Sequence, residues 1–134
     1  MRLNRSTDYA IRILIYLAKE ASVVSSAKLS GKVGMSPRYL LQIGAKLRNA
    51  ELITTTYGSS GGFSIKRPAD EISLYDIITA MEGGIAYQIS QKHKGSKDIK
   101  PLDEIYKYMD DALIHLLKGI TIAELLPQSE ETEI

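Results

Sequence analysis

A chain of 134 residues with a net charge of +1 is long enough for one domain with its own hydrophobic core and short for two. It contains no cysteine, which excludes disulfides, thiol nucleophiles, thiol redox switches and cysteine-ligated zinc or iron–sulfur sites. No segment approaches the roughly 18–20 apolar residues of a membrane span, and the charged start lacks a signal-peptide core. We therefore expect a cytoplasmic protein with no membrane partner.

The charges are unevenly distributed along the chain. Residues 28–67 carry seven cations against Glu51 alone, a net charge of +6. Residues 68–134 carry six cations and thirteen anions, a net charge of −7. Such asymmetry indicates a basic surface for a polyanion in one half of the chain and a different role for the other half.

The first predicted helix covers residues 7–21, with Thr7 or Asp8 as its N-cap. Apolar residues occupy nearly its whole circumference, since Ile11, Ile15 and Tyr16 fall outside the main stripe. A helix of this kind is usually buried on more than one side. The pattern therefore suggests a partner chain in addition to the domain's own core.

Two further helices are predicted between residues 25 and 52. Ser26 is the expected N-cap of a short helix that ends at Gly34, because glycine accepts the left-handed conformation of many helix ends. Ser36 is the expected cap of the second helix, and Pro37 suits its first position. The second helix has basic residues on its expected solvent-facing side. Two helices of this kind, joined by a short turn, are typical of a helix-turn-helix.

A β-hairpin is predicted directly afterwards. Residues 52–56, "LITTT", and 63–67, "FSIKR", show the β-branched bias and alternation of strands, and "YGSSGG" lies between them. A phosphate-binding loop would need a lysine and a following helix, and a nucleophile elbow would need a strand–turn–helix context. The segment therefore predicts the wing of a winged helix-turn-helix.

The second half of the chain predicts mostly helix. Residues 70–84 contain a helix with Ser73 as N-cap and Asp76 as its capping-box partner. Residues 101–119 form a long helix with Pro101 at its first position and a broad apolar stripe. "TIAELL", residues 121–126, predicts a short final helix. The fold class expected from all these elements is mainly α with a small β-hairpin wing.

Enzyme chemistry finds no support in the sequence. His93 lies in the polar segment, where we expect solvent exposure or a ligand-sensing role, and His115 on the long helix is expected to pack or lie at the surface. A solvated helix face is expected for four acids: Asp103, Glu104, Asp110 and Asp111. No nucleophile, base and orienting group converge, so we expect no enzyme.

Several side chains are candidates for contacts with nucleic acid. Arg38, Tyr39 and Gln42 lie in the first turns of the second helix of the helix-turn-helix, where recognition helices meet base edges. Arginine pairs with guanine there and glutamine with adenine. Phosphate contacts are expected from cationic side chains and a helix start: Arg2, Lys28, Lys32 and the backbone N–H groups near Ser26. The alternative for all of them is a solvated helix face.

Four stretches carry a family resemblance: "MRLNRSTDYAIRILIYLA", "MSPRYLLQIGAKLRNAELI", "YGSSGGFSIKRPADEISLYDIITAMEG" and "ITIAELL". In this order they resemble the Rrf-type winged helix-turn-helix transcriptional regulators, the family of IscR, NsrR and CymR. The resemblance covers almost the whole chain and is weakest in residues 85–100 and the tail. It implies a homodimer whose long helix, from Pro101, is the dimer arm, and in which each winged domain contacts half of a palindrome in double-stranded operator DNA.

The resemblance also implies DNA contacts from Ser36, Arg38, Tyr39 and the wing tip. The DNA-binding candidates, with those from the residues themselves, are Arg2, Ser26, Lys28, Ser36, Pro37, Arg38, Tyr39, Gln42, Lys46, Tyr57, Gly58, Ser59, Ser60 and Gly61. The dimer-interface candidates are Leu102, Ile105, Tyr106, Met109, Leu113, Leu116 and Leu117. The expected division is a winged helix-turn-helix domain at 1–83, a flexible loop at 84–100, a dimerisation helix with a short final helix at 101–126, and a disordered acidic tail at 127–134.

Four departures from the family pattern bear on function. Leu41 stands where some relatives have an acidic residue, and it can offer only an apolar contact, as to a thymine methyl group. Tyr57 replaces a common wing arginine, and Glu51 replaces a glycine at an expected helix end, at a cost on the order of 1 kcal/mol if the residue is left-handed. Residues 85–100 lack the three cysteines of cluster-binding relatives. We therefore expect no cofactor.

Two alternatives to a DNA-binding repressor stay open at this point. The winged helix can be a protein-interaction module whose acidic half binds an enzyme partner. It can also belong to a metabolite sensor with a pocket between the long helix and residues 85–100.

Overall fold

The computed structural model describes residues 3–83 and 100–127 of the chain. Within these residues, five α-helices and one two-stranded antiparallel sheet confirm the expected mainly α winged helix-turn-helix fold. The helices and strands follow in the order α1 (Arg5–Glu20), α2 (Ser26–Val33), α3 (Pro37–Asn49), β1 (Ile53–Thr56), β2 (Gly62–Ile65), α4 (Leu74–Glu82) and α5 (Lys100–Lys118). Short 3₁₀ helices occupy Ala69–Glu71 and Ile122–Leu125. Arg2, most of the expected loop with His93, and residues 128–134 of the expected tail lie outside the described residues.

Helix α1 lies at the centre of the core. Its residues Ile13, Leu14 and Leu17 are buried and pack with apolar residues of α2, α3, α4 and the sheet. Ile15 and Tyr16, on its sides, are half-buried against the same core. The apolar circumference that suggested a partner chain is thus largely explained by packing within one chain.

Two of the expected helix caps are wrong. The N-cap of α1 is Asn4, because the helix begins earlier and Thr7 is buried, donating from Oγ1 to Glu82 Oε2 at 2.6 Å. The N-cap of α2 is Ser25, whose Oγ accepts from the backbone N–H of Lys28, and Ser26 is the first helical residue. The Thr7 contact joins residues 75 positions apart, so the local sequence gives no sign of it.

The other two predicted caps are confirmed. Ser36 Oγ accepts from the backbone N–H of Tyr39, and Pro37 occupies the first helical position of α3. Ser73 and Asp76 form a reciprocal capping box at the start of α4, with distances of 3.0 and 3.1 Å. These motifs fix where the recognition helix and α4 begin.

The wing is attached to the start of α2 through a backbone contact. β1 and β2 pair in an antiparallel register that places Ile53 opposite Ile65. Val24 and Phe63 exchange two backbone hydrogen bonds of 2.8 Å each, which end the extended chain at Ser25. Gly62 has a φ of 151°, and a Cβ there would overlap the Val24 carbonyl, so this close approach requires glycine.

The last described residues return to the winged domain. The expected final helix is only a 3₁₀ turn, yet Ile122 is fully buried in the main core. The backbone N–H of Ile122 donates to the Ile72 carbonyl oxygen, and that of Leu74 donates to the Ile120 carbonyl oxygen. The end of α5 is therefore held against the start of α4.

Candidate nucleic-acid interface

Helix α3 separates an inward from an outward face along its length. Leu40, Ile43 and Leu47 are buried in the core. Arg38 and Gln42, four residues apart, are exposed on the opposite face. The helix therefore presents a guanidinium and a carboxamide, the two side chains that best read purine edges, in its first turns.

Tyr39 is held at the side of this face by an aromatic contact with α1. The rings of Tyr9 and Tyr39 meet edge to face, with centroids 5.6 Å apart and planes at 89°. Such contacts contribute about 0.5–1.5 kcal/mol beyond the burial of area. Together with the Ser36 cap, the pair fixes the N-terminal end of α3, which carries the predicted base-reading residues.

The wing tip is the most exposed part of the hairpin. Tyr57 is 81% exposed, and Gly58, Ser59 and Ser60 are also exposed. The Gly61 N–H donates to the Gly58 carbonyl oxygen at 3.1 Å and closes the turn. The tip is thus free to approach a sugar–phosphate surface.

One shallow depression joins three of the predicted contact regions. It has a volume of about 390 Å³ and lies between the start of α2, the outward side of α3 and the wing. Ser26, Leu41 and Tyr57 all line it. Gly61, another candidate, lines it as well, so the fold brings together candidates that are up to 35 positions apart in the sequence.

The basic segment divides into paired and unpaired cations. Lys66 forms a 3.1 Å ion pair with Glu51, and Arg67 lies 3.9 Å from Asp76. Across residues 3–83 and 100–127, no carboxylate forms an ion pair with Lys28 or Arg38, which are both exposed. The unpaired positive charge thus lies on the helix-turn-helix rather than at the base of the wing.

Lys46 is positioned apart from the other predicted contact residues. Its Nζ donates to the Met81 carbonyl oxygen at 3.4 Å, towards the end of α4. The wing and the start of α2 line a different depression from the one that Lys46 lines. A role for Lys46 in DNA binding stays a prediction and would be a phosphate contact at the edge of the surface.

Two further residues contribute to this surface: Leu41, which the sequence analysis named as an apolar base contact, and Tyr9, which it did not name. Leu41 is 57% exposed and lines the depression beside the wing. Tyr9 supports the surface through its edge-to-face contact with Tyr39. Leu41 could be predicted to face outward because it lies three positions after Arg38 and outside the buried stripe of α3. The contact between Tyr9 and Tyr39 could not be predicted, because the two residues are far apart in the sequence.

Helix α5 carries apolar residues on two different sides. Leu117 is buried against Ile78 of α4, with Leu113 beside it. A second apolar stripe faces outward and consists of Leu102, Ile105, Met109 and Leu116, which are 43–58% exposed, with Tyr106 half-buried at its side. With Ala112, the stripe has the spacing 3, 4, 3, 4, which is the heptad pattern of a helix–helix seam. Leu117 already has its partner within the chain.

The acidic face expected on α5 is partly wrong. Asp110 is only 4% exposed, and Asp103 is half-buried. Glu104 and Asp111 are exposed as expected, and His115 is exposed as well. Asp110 lies seven residues, nearly two turns, before the buried Leu117, and therefore on the same side of α5.

No helix among the described residues is both long enough and apolar enough to cross a membrane.

Comparisons with known proteins agree with this geometry. A family profile described as "Rrf2: Iron-dependent Transcriptional regulator" matches residues 3–128. The chain is 27% identical over 138 residues to the HTH-type transcriptional regulator IscR of Escherichia coli O1:K1 / APEC, covering 100% of this chain and 85% of that protein. Its fold matches CymR, the global cysteine regulator of B. subtilis, with a TM-score of 0.78 at 27% identity, over 93% of this chain and 95% of the other. T. potens IscR gives a TM-score of 0.76 at 26% identity, over 100% and 92% of the two chains.

The iron in that family description does not fit the donor atoms of this chain. Iron–sulfur clusters are held mainly by cysteine thiolates, and the chain has no cysteine. In the two described ranges, no three histidine, aspartate or glutamate side chains lie close enough together to hold a metal ion. A cluster ligated by this chain's own thiolates therefore cannot form.

Proposed function

Since the chain belongs to the Rrf2 family of DNA-binding transcriptional regulators, which are not enzymes, we propose that it acts in the cytoplasm as a homodimeric repressor. Each protomer binds one half of a palindromic operator, and no iron–sulfur cluster takes part. The observation that carries this proposal is the outward face of α3, where Arg38, Leu41 and Gln42 are exposed beside an exposed wing tip. Base contacts come from this face, and phosphate contacts come from Lys28 and the start of α2.

The wing supplies a second contact region next to the recognition helix. Its tip consists of small residues and one exposed tyrosine, so the backbone can lie close to the sugar–phosphate surface. Tyr57 adds an aromatic ring instead of a cation, which favours contact with sugar and base edges over attraction to a narrow minor groove. These contacts position the protein and leave most of the sequence readout to α3.

Dimerisation is proposed through the outward stripe of α5. The helix has 19 residues, about 28 Å at 1.5 Å per residue, and its exposed leucine, isoleucine and methionine side chains recur at heptad spacing. An apolar stripe of this length is costly to leave in water. A second copy of the same helix covers it with matching chemistry, and the resulting two-fold symmetry matches a palindromic site.

The DNA-binding part is tested with the purified protein and the DNA upstream of its own gene. We expect a shifted complex at nanomolar protein that weakens steeply as salt increases, because phosphate contacts release counterions. Absence of any shift at low salt would contradict the proposal. Transcription from the same DNA in a purified system, with and without the protein, distinguishes a repressor from an activator.

The dimer is tested by placing a charge in the stripe. Ile105→Lys should convert the dimer to a monomer in sedimentation experiments, because Ile105 is 55% exposed in one chain and its replacement leaves the core intact. Glu104→Lys, at the neighbouring exposed position, is the matched control and should stay dimeric. Equal oligomeric states for both variants would place the interface elsewhere.

A further inference from the structure

The wing touches the recognition helix through the ring of Phe63. This side chain is 6% exposed and belongs to the main hydrophobic core. A Cβ at Gly44 of α3 would lie 3.1 Å from both Cε1 and Cζ of the ring. The ring therefore packs against α3 at a position where the helix has no side chain, and this glycine lets β2 approach the helix closely.

The backbone of Phe63 is held from two sides. It pairs with Thr55 of β1 in the sheet and exchanges two hydrogen bonds with Val24, just before α2. Carbon atoms prefer separations of about 3.5–4.0 Å, so a methyl group at Gly44 would displace the ring by a few tenths of an ångström. Because close-packed interiors transmit strain, we expect this displacement to move the hairpin away from α3.

The same contact borders the depression between α3 and the wing. Phe63 lines this depression together with Leu41 on the helix and Tyr57 at the wing tip. Gly44 follows Leu41 by three residues, nearly one turn, so the two positions lie on the same side of α3. The separation of Gly44 and Phe63 therefore sets how far the wing stands from the recognition helix, and with it the width of the depression.

This width matters for double-stranded DNA. A helix in the major groove and a wing tip at the adjacent groove lie on either side of one sugar–phosphate strand. We propose that Gly44 and Phe63 are positioning residues, whose close contact keeps the depression at a width that seats this strand. Ser26 and Ser59 line the depression, and hydroxyl groups of this kind contact phosphate oxygens. The proposal rests on the proposed function, since it specifies how α3 and the wing bind one half-site together.

The contact is tested without DNA by urea unfolding of a double-mutant cycle. Gly44→Ala should lower the urea midpoint of the wild-type protein. It should raise the midpoint when combined with Phe63→Leu, because leucine lacks both of the ring carbons that a Cβ would meet. Equal effects of Gly44→Ala with and without Phe63→Leu would overturn the contact.

Gly31→Ala is the matched control in both experiments. Gly31 also lies inside a helix, but it is exposed, and within the described part of the chain nothing lies within 4 Å of a Cβ there. Alanine favours a helix interior over glycine, so this variant should have a raised urea midpoint. It thus separates the effect of helix propensity from the effect of the contact.

The positioning role is tested by gel-shift titration with the DNA upstream of the protein's own gene. Tyr57→Ala reports the wing contact and should reduce affinity about fivefold in the wild-type and Gly31→Ala proteins, as for the weaker aromatic contacts with bases. In Gly44→Ala it should have an effect below about twofold, because the displaced tip no longer reaches the DNA. Adding Phe63→Leu to Gly44→Ala should restore most of the fivefold effect.

Arg38→Ala reports the contact of α3 and should be equally costly in the wild-type, Gly31→Ala and Gly44→Ala proteins, which a general loss of structure would not allow. A Tyr57→Ala effect of the same size in wild type and Gly44→Ala would overturn the positioning role. So would a wild-type protein that binds this DNA and loses no affinity through Tyr57→Ala. If no variant binds DNA while the urea cycle shows the expected coupling, the proposed function fails and the contact stands.

Discussion

Glu51 adopts a conformation that suits glycine, and this makes its replacement a sharp test of the local energetics. Its φ is 61°, in the left-handed region, and it directly follows Ala50, the C-cap of α3. The N–H of Glu51 donates to the Arg48 carbonyl oxygen and that of Leu52 to the Leu47 carbonyl oxygen, which is the hydrogen-bond pattern of a Schellman motif. The side chain also pairs with Lys66 at 3.1 Å.

The free energy of unfolding of Glu51→Gly depends on the backbone strain that glycine relieves and on the entropy and the ion pair that are lost with the side chain. A side chain in the left-handed region costs about 1–2 kcal/mol per residue, and glycine removes this cost while losing about 0.5–1 kcal/mol of unfolded-state entropy. The ion pair has exposed partners, at 75% and 47% side-chain exposure, so it contributes only about 0.2–1 kcal/mol. Glu51→Ala loses the pair and keeps the strain, so it should be destabilised. Glu51→Gly should be more stable than Glu51→Ala by about 0.5–1 kcal/mol.

The assay is urea unfolding of the three proteins at neutral pH, in low salt and in about 0.5 M NaCl, where screening weakens exposed pairs. Wild type and Glu51→Ala should converge at high salt, because only the ion pair separates them. The difference between the alanine and glycine variants should persist, since backbone strain is not screened. An alanine variant as stable as the glycine variant would refute the assignment of strain to this residue.

Three further outcomes concern the recognition helix and its support. Arg38→Ala should reduce operator affinity by about 1–3 kcal/mol and non-specific affinity far less, in quantitative gel-shift titrations; an equal loss would make Arg38 a phosphate contact. Leu41→Ala should reduce operator affinity about fourfold, the effect of about one unburied methyl group, only at operators with thymine opposite it. An unchanged thymine preference would exclude this contact. Ser73→Ala should destabilise the fold by about 0.5–2 kcal/mol through loss of the capping box, whereas Ser22→Ala, at an exposed bend, should be neutral in thermal unfolding.

The sequence predicted those features of the structure that depend on residues close together in the chain. The Ser36–Pro37 start of α3 and the pairing of Ser73 with Asp76 are set by groups within three residues of each other. The outward position of Arg38 and Gln42 follows from the same helical periodicity that buries Leu40. These features could be predicted, and they include the central part of the candidate site.

The remaining features depend on contacts between distant residues. Ser25 caps α2 because Val24 is paired with Phe63 of the wing, and Thr7 is a buried donor because Glu82 lies beside it. Nothing near Asp110 in the sequence indicates that its side of α5 is covered. The sequence does not distinguish Lys46 from the other cations of the basic segment, because its contact with the Met81 carbonyl oxygen forms only in the folded chain. Each depends on tertiary packing, which helical periodicity does not encode.

The central claim, a dimer that reads palindromic DNA, is tested most directly by selecting bound sequences from a random pool of double-stranded DNA. We expect an enriched inverted repeat whose half-site centres are separated by about 10–10.5 base pairs or a multiple of this, because two recognition helices must meet the same face of the duplex. Ile105→Lys should enrich isolated half-sites weakly or not at all. Enrichment of a single unrepeated site by the wild-type protein, or no enrichment, would contradict the claim.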